Sequence, residues 1–138
     1  MMKEPPGRPM VENKSKNRKY DLGERLLDFS VRIISVVEAL PNTLAGNHIA
    51  GQLLRCGTSP APNYGEAQSA ESRRDFIHKM KIALKELRET HVWLNIIQRK
   101  MLAKSAKDVQ PLMAECNELI SIFVASVKTA EGNKGAKK

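Results

Sequence analysis

Two prolines, Pro60 and Pro62, stand between two strongly helical apolar patterns, and they constrain the fold more than any other feature. They fall in Thr58-Ser59-Pro60-Ala61-Pro62-Asn63, within the unbroken block Ile49–Leu94. Proline lacks an amide hydrogen and its ring clashes with the preceding turn, at a cost of about 3 kcal/mol in a helix interior. Apolar periodicity on both sides therefore predicts one helix that kinks here. Pro60 and Pro62 cannot donate to the carbonyls of Cys56 and Thr58. The Thr58 and Ser59 hydroxyls are expected to bond back to nearby backbone and shape the bend.

Four helices follow from the periodicity. Asp21 with Glu24 is a capping-box signal that opens the first, reaching Leu40. Its stripe is Leu22, Leu26, Phe29, Ile33, Val36, Val37 and Leu40, at steps of three and four. Pro41-Asn42-Thr43 ends it, and Thr43 caps the second helix, Leu44 to Gly57, which resumes past the prolines to Ala70. Ser69 or Ser72 caps the third, which is the longest and reaches Leu102. Asp108 is expected to cap the fourth, with Pro111 tolerated in its first turn. Its stripe runs Leu112, Cys116, Leu119, Phe123 and Val127. Short connectors make consecutive helices antiparallel, so the predicted fold is all-α, an up-down-up-down four-helix bundle. Six aromatic residues in 138 leave the core to Leu, Ile, Val, Met and Ala, as a bundle requires.

The third and fourth predicted helices are apolar beyond one stripe, through Ile77, Ile82, Trp93 and Ile96 on one and Ile120, Ile122 and Val124 on the other. A helix apolar over most of its circumference is covered on more than one side, which points to self-association.

The net charge of +8 is concentrated at the ends. Residues 1–19 and 131–138 together carry +6, and 20–130 only +2. The expected organisation is a bundle over 20–130 between two disordered, solvated basic tails. No apolar run approaches the ~20 residues a bilayer span needs. Residues 1–20 hold no secretory h-region, so the expected compartment is the cytoplasm, without membrane association. Cys56 and Cys116 lie within apolar helical patterns, without metal-type spacing, and are expected to be reduced core thiols.

The central motifs are Gln52-Leu53-Leu54-Arg55, Thr58-Ser59-Pro60-Ala61-Pro62-Asn63-Tyr64-Gly65-Glu66-Ala67, Asp75 through Glu86, and Glu89-Thr90. Over about Tyr20–Thr129 the chain resembles the small bacterial four-helix-bundle proteins also called 23S ribosomal RNA intervening-sequence proteins. The resemblance implies a left-handed antiparallel bundle assembled as a homopentamer around a central channel. Many members carry Ser-Ile-x-x-Asn at the kink, where this chain has Ser-Pro-Ala-Pro-Asn. A branch similar in fold, the accessory proteins of diversity-generating retroelements, works with reverse transcriptase and nucleic acid.

Glu86 and Glu89 share a helix face, as a general acid–base pair or metal site would require. A di-iron bundle needs Glu-x-x-His on paired helices, whereas here Glu89 is followed by His91 two residues on, with no second copy. His48, His78 and His91 share no face, and no phosphate loop or activated nucleophile appears. No catalytic residue, metal or cofactor is therefore assigned. Arg55, Thr58, Ser59, Asn63, Glu66, Glu86 and Glu89 are expected to form a structural polar network. In it Arg55 answers Glu86 or Glu89, and Asn63 bonds backbone freed at the kink. Arg74, His78, Lys81, Lys85 and Arg88 recur at i, i+4, i+7, i+11, i+14 and make a basic ridge.

The expected function is a non-enzymatic homo-oligomeric scaffold or adaptor, with an unidentified partner protein. The alternative is an accessory factor that binds RNA or single-stranded DNA by charge through Arg74, Lys81, Lys85 and Arg88, in a five-copy ring of about +40.

Overall fold

Capping side chains set three of the helix starts. In the computed structural model, which describes residues 21–102 and 106–135, Asp21 Oδ1 accepts the Glu24 amide at 3.1 Å and opens α1 (Leu22–Ala39). Thr43 Oγ1 accepts the Gly46 amide at 3.0 Å at the head of α2 (Leu44–Thr58). Ser72, rather than Ser69, caps α4 (Arg73–Lys100), its Oγ accepting the Asp75 amide at 3.0 Å. Each cap satisfies a backbone donor that the first turn would leave orphaned.

Between α2 and α4 lies α3 (Pro60–Gln68), beginning directly after Ser59. Ser59 itself keeps right-handed helical dihedrals, φ −73° and ψ −35°, so the junction is a kink and not a loop. Pro60 takes the first position of α3, where a missing donor costs least. α2 and α3 together are the predicted second helix, and the whole is a four-helix bundle.

α4 ends at Met101, which adopts φ 56°, a left-handed conformation usually given to glycine. The last helix, α5, spans Ala106–Gly135. It starts earlier than its sequence suggests, so Asp108 is no N-cap and Pro111 lies inside the helix. Val109 and Leu112 are fully buried beside it, and that packing holds the turn despite one lost hydrogen bond. At the other end α5 extends past residue 130, where Lys81 pairs with Glu131 at 2.9 Å. The basic segment 1–19 expected to be a tail lies outside the described residues.

Side-chain contacts fix the directions. Gln98 and Lys81 of α4 meet Gln110 and Glu131 of α5, so these helices run oppositely. Glu66 meets Lys79, and Arg55 meets Glu86 and Glu89, giving α2–α3 the reverse direction to α4. α1 packs on α2, α3 and α5, and so does α4, whereas the backbones of α1 and α4 do not approach closely. They are the diagonal pair.

The core is Leu26, Phe29 and Ile33 from α1, Leu53 from α2, Met80, Leu87, Leu94 and Ile97 from α4, and Leu112, Leu119 and Phe123 from α5. Thr90 is buried among them and donates its hydroxyl to the Glu86 carbonyl at 2.7 Å. α1 and α2 approach so closely that a Cβ placed on Gly57 would lie 2.7 Å from Ile33 Cγ2.

Candidate interaction surfaces

The polar residues singled out in the sequence separate into three groups. At the kink, Asn63 Nδ2 donates to Ser59 O at 3.0 Å and to Ser59 Oγ at 2.9 Å, and Thr58 Oγ1 donates to Leu54 O at 2.6 Å. Asn63 thus secures Ser59 rather than the Cys56 or Thr58 carbonyls. Along the α2–α4 seam, Arg55 bonds both carboxylates, Glu86 at 3.1 Å and Glu89 at 2.6 Å. Glu89 also accepts from Trp93 Nε1 at 3.2 Å, and Trp93 meets His48 edge to face. Glu66 stands apart, paired with Lys79 at 2.6 Å.

Arg55 is 52% exposed while Glu86 and Glu89 are 15% and 31% exposed, so the network is a clasp at the bundle surface with its carboxylates on the more covered side. Both carboxylates are engaged by one guanidinium. Glu89 lies first among the influences that raise the Arg55 pKa.

A stronger ion cluster escaped the sequence reading. Arg25 on α1 forms a two-point bond with Glu115 on α5, at 3.0 and 2.8 Å, and reaches Glu118 at 2.8 Å. The Arg25 side chain is only 15% exposed, and Glu115 chiefly raises its pKa. The partners lie 90 and 93 residues apart in sequence. No local pattern signals them.

The basic ridge is real as an exposed row. Arg74, His78, Lys81, Lys85 and Arg88 all face solvent on α4. Lys81 is tied to Glu131. Arg73, Arg74, Ile77 and Glu131 line a groove at the start of this ridge.

The exposed apolar residues are distributed differently from expectation. Of the seven expected to be extra-seam contacts, only Ile96 is exposed, and Ile77, Ile82, Trp93, Ile120, Ile122 and Val124 are half-buried within the chain. The exposed large apolar residues are instead Leu27, Val31 and Ile34 in line on α1 and Val92 with Ile96 on α4, besides Leu44 and Leu54 on α2 and Met101 after α4. A helix spreads its apolar residues over a wide arc when two intrachain neighbours flank it, and α5 is flanked by α1 and α4.

Both thiols are buried and free. Burial pushes Cys116 up to about 12, and likewise raises Cys56, so neither supplies a thiolate nucleophile near neutrality. Among the described residues no group of His, Cys, Asp or Glu is placed to hold a metal ion, and no helix is long and apolar enough to cross a membrane.

Residues 18–125 match the family model described as 23S rRNA-intervening sequence protein. A solved structure from Bacteroides thetaiotaomicron VPI-5482, described as a protein of unknown function from the S23 ribosomal protein family, is 33% identical with a TM-score of 0.71. The similarity covers 78% of this chain and 98% of that one. No match was found among curated proteins.

Proposed function

This chain belongs to the 23S rRNA-intervening sequence protein family, and from that premise we propose that it acts as a non-enzymatic, homo-oligomeric scaffold or adaptor in the cytoplasm. One observation carries the reading: apolar side chains are exposed in line on two helices at opposite corners of the bundle. Leu27 is 56% exposed, Val31 62% and Val92 55%. Rows of this kind are characteristic of surfaces covered in an assembly. The polar clusters, by contrast, are internally paired and hold helices in register. The resemblance of the sequence to ring-forming bundles suggests five copies. Light scattering at micromolar concentration should then report a mass near five times 15.4 kDa. A clean monomer overturns the proposal.

A second reading, charge-driven binding of RNA or single-stranded DNA, is favoured by the exposed row from Arg74 to Arg88. Contact with phosphates releases counterions, so affinity should fall steeply as salt rises and vary little with sequence. Fluorescence anisotropy with labelled RNA and single-stranded DNA tests this. Absence of binding even at low salt removes the reading and leaves a protein-binding scaffold.

A further inference from the structure

The two exposed apolar rows have complementary borders. On α1, Glu24, Leu27, Val31, Ile34 and Glu38 recur at i, i+3, i+7, i+10, i+14 and form one stripe, apolar at its centre and acidic at both ends. On α4, Lys85, Arg88, Val92, Ile96 and Arg99 recur at i, i+3, i+7, i+11, i+14 and form another, apolar at its centre and basic at both ends. At a rise of 1.5 Å per residue each stripe is about 21 Å long. Length, apolar centre and charged ends all match, with the sign of charge reversed.

Their positions within the bundle match too. Arg25 of α1 and Leu87 of α4 share a level, since the first meets Glu115 and Glu118 while the Leu87 carbonyl meets Cys116. Ile33 and the pair Glu86–Glu89 also share one, through Gly57 and Arg55 of α2. The route through α5 sets Val31 level with about residue 93 of α4 and the route through α2 sets it level with about residue 85, so the stripe centres lie within about 10 Å of each other along the bundle. They face outward from opposite corners of the molecule.

We propose that the occupant of each stripe is the other stripe on a second copy of this chain: α1 of one subunit docks against α4 of the next. The inference rests on the homo-oligomeric reading above and adds the faces that meet and their order. Self-pairing of either stripe would set Glu24 and Glu38 against their own kind, or Lys85 and Arg99 against theirs, a like-charge juxtaposition. Pairing the two different stripes neutralises both ends and covers both apolar centres. Such a contact is head-to-tail, and it closes into a ring where the rotation from copy to copy completes a turn without net rise. Lys85 and Arg88 would then be covered, leaving Arg74, His78 and Lys81 as the open part of the ridge.

Two variants test this directly. Leu27→Gln with Val31→Gln removes the apolar centre of the α1 stripe, and Val92→Gln with Ile96→Gln removes that of the α4 stripe. All four positions are exposed, and far-UV circular dichroism should match the wild type. Light scattering should give one copy, 15.4 kDa, for each variant alone. Mixed one to one at high micromolar concentration, they should form a dimer holding one of each and nothing larger, because only one intact pair of faces exists between them. The pairing is overturned if either variant alone keeps the wild-type mass or forms its own dimer, or if the mixture does not combine. A monomeric wild type would instead overturn the homo-oligomeric reading, and this inference with it.

Discussion

Three glycines in α2 allow the closeness of α1 and α2 to be measured by the same substitution at different sites. A Cβ on Gly57 would stand 2.7, 2.9 and 3.0 Å from the Cγ2, Cγ1 and Cδ1 of Ile33, well inside the 3.5–4.0 Å of an ordinary carbon contact. Ile33 is fully buried and β-branched, so it cannot swing aside cheaply. Overpacking of this kind costs about 1–3 kcal/mol, while replacing a mid-helix glycine by alanine returns about 1 kcal/mol. Gly57→Ala should therefore lose up to about 2 kcal/mol. A Cβ on Gly51 meets nothing within 4 Å, so Gly51→Ala should gain about 1 kcal/mol. Urea unfolding followed by circular dichroism, at one fixed protein concentration because association contributes to stability, gives both values. In an Ile33→Ala background the clash is gone, and Gly57→Ala should turn stabilising. If Gly57→Ala stabilises the native chain as much as Gly51→Ala does, the close approach argued here is wrong.

Arg25→Ala, which strands the partly buried Glu115, should cost about 1–3 kcal/mol in the same urea assay, and Arg55→Ala, which strands the partly buried Glu86 but removes a half-exposed guanidinium, should cost less than Arg25→Ala. Cys116 holds its proton up to about 12 in the folded state, above its unfolded value. Its contribution is therefore full below the unfolded pKa and is lost as pH rises toward 12, at about 1.4 kcal/mol per pH unit. Urea curves at rising alkaline pH should show that slope, and Cys116→Ala should flatten it. Pro60→Ala with Pro62→Ala restores two amide donors. If the bend presents the interface, helicity by circular dichroism should persist while the oligomer mass falls, and an unchanged mass and thermal midpoint would show that the prolines are merely tolerated.

The features legible in the sequence were those with local causes. Asp21, Thr43 and Ser72 cap as their spacing suggests because the groups they satisfy lie three residues away. The α1 seam from Leu26 to Val36 is buried as its period requires. Arg55 was matched to Glu86 and Glu89 because these are its nearest countercharges on the adjacent helix. How far that clasp is covered was not legible, since a helical period does not say how much neighbouring side chain lies over a seam. Arg25 with Glu115 and Glu118 depends on which helices become neighbours, and Met101 adopts positive φ without a glycine to announce it. Apolar width alone does not mark the outer surface, because α5 is flanked by α1 and α4. The exposed row of α1 was hidden beside a clean inward stripe.

The junction at Ser59 also divides the bundle's cooperativity. Neither Pro60 nor Pro62 has an amide hydrogen, so the ladder of backbone bonds that makes a helix open and close as one unit is interrupted between α2 and α3. Across the gap the Asn63 amide donates to the Ser59 carbonyl at 3.2 Å and the Asn63 side chain adds two bonds to Ser59, a thinner tie than an unbroken ladder. α3 can therefore unfasten from α1 and α4 without unwinding α2, as a separate unit of local unfolding. In hydrogen exchange the amides of Asn63–Gln68 should lose protection ahead of those at Leu53 and Cys56, which makes the nine-residue segment α3 the first side of the bundle to open.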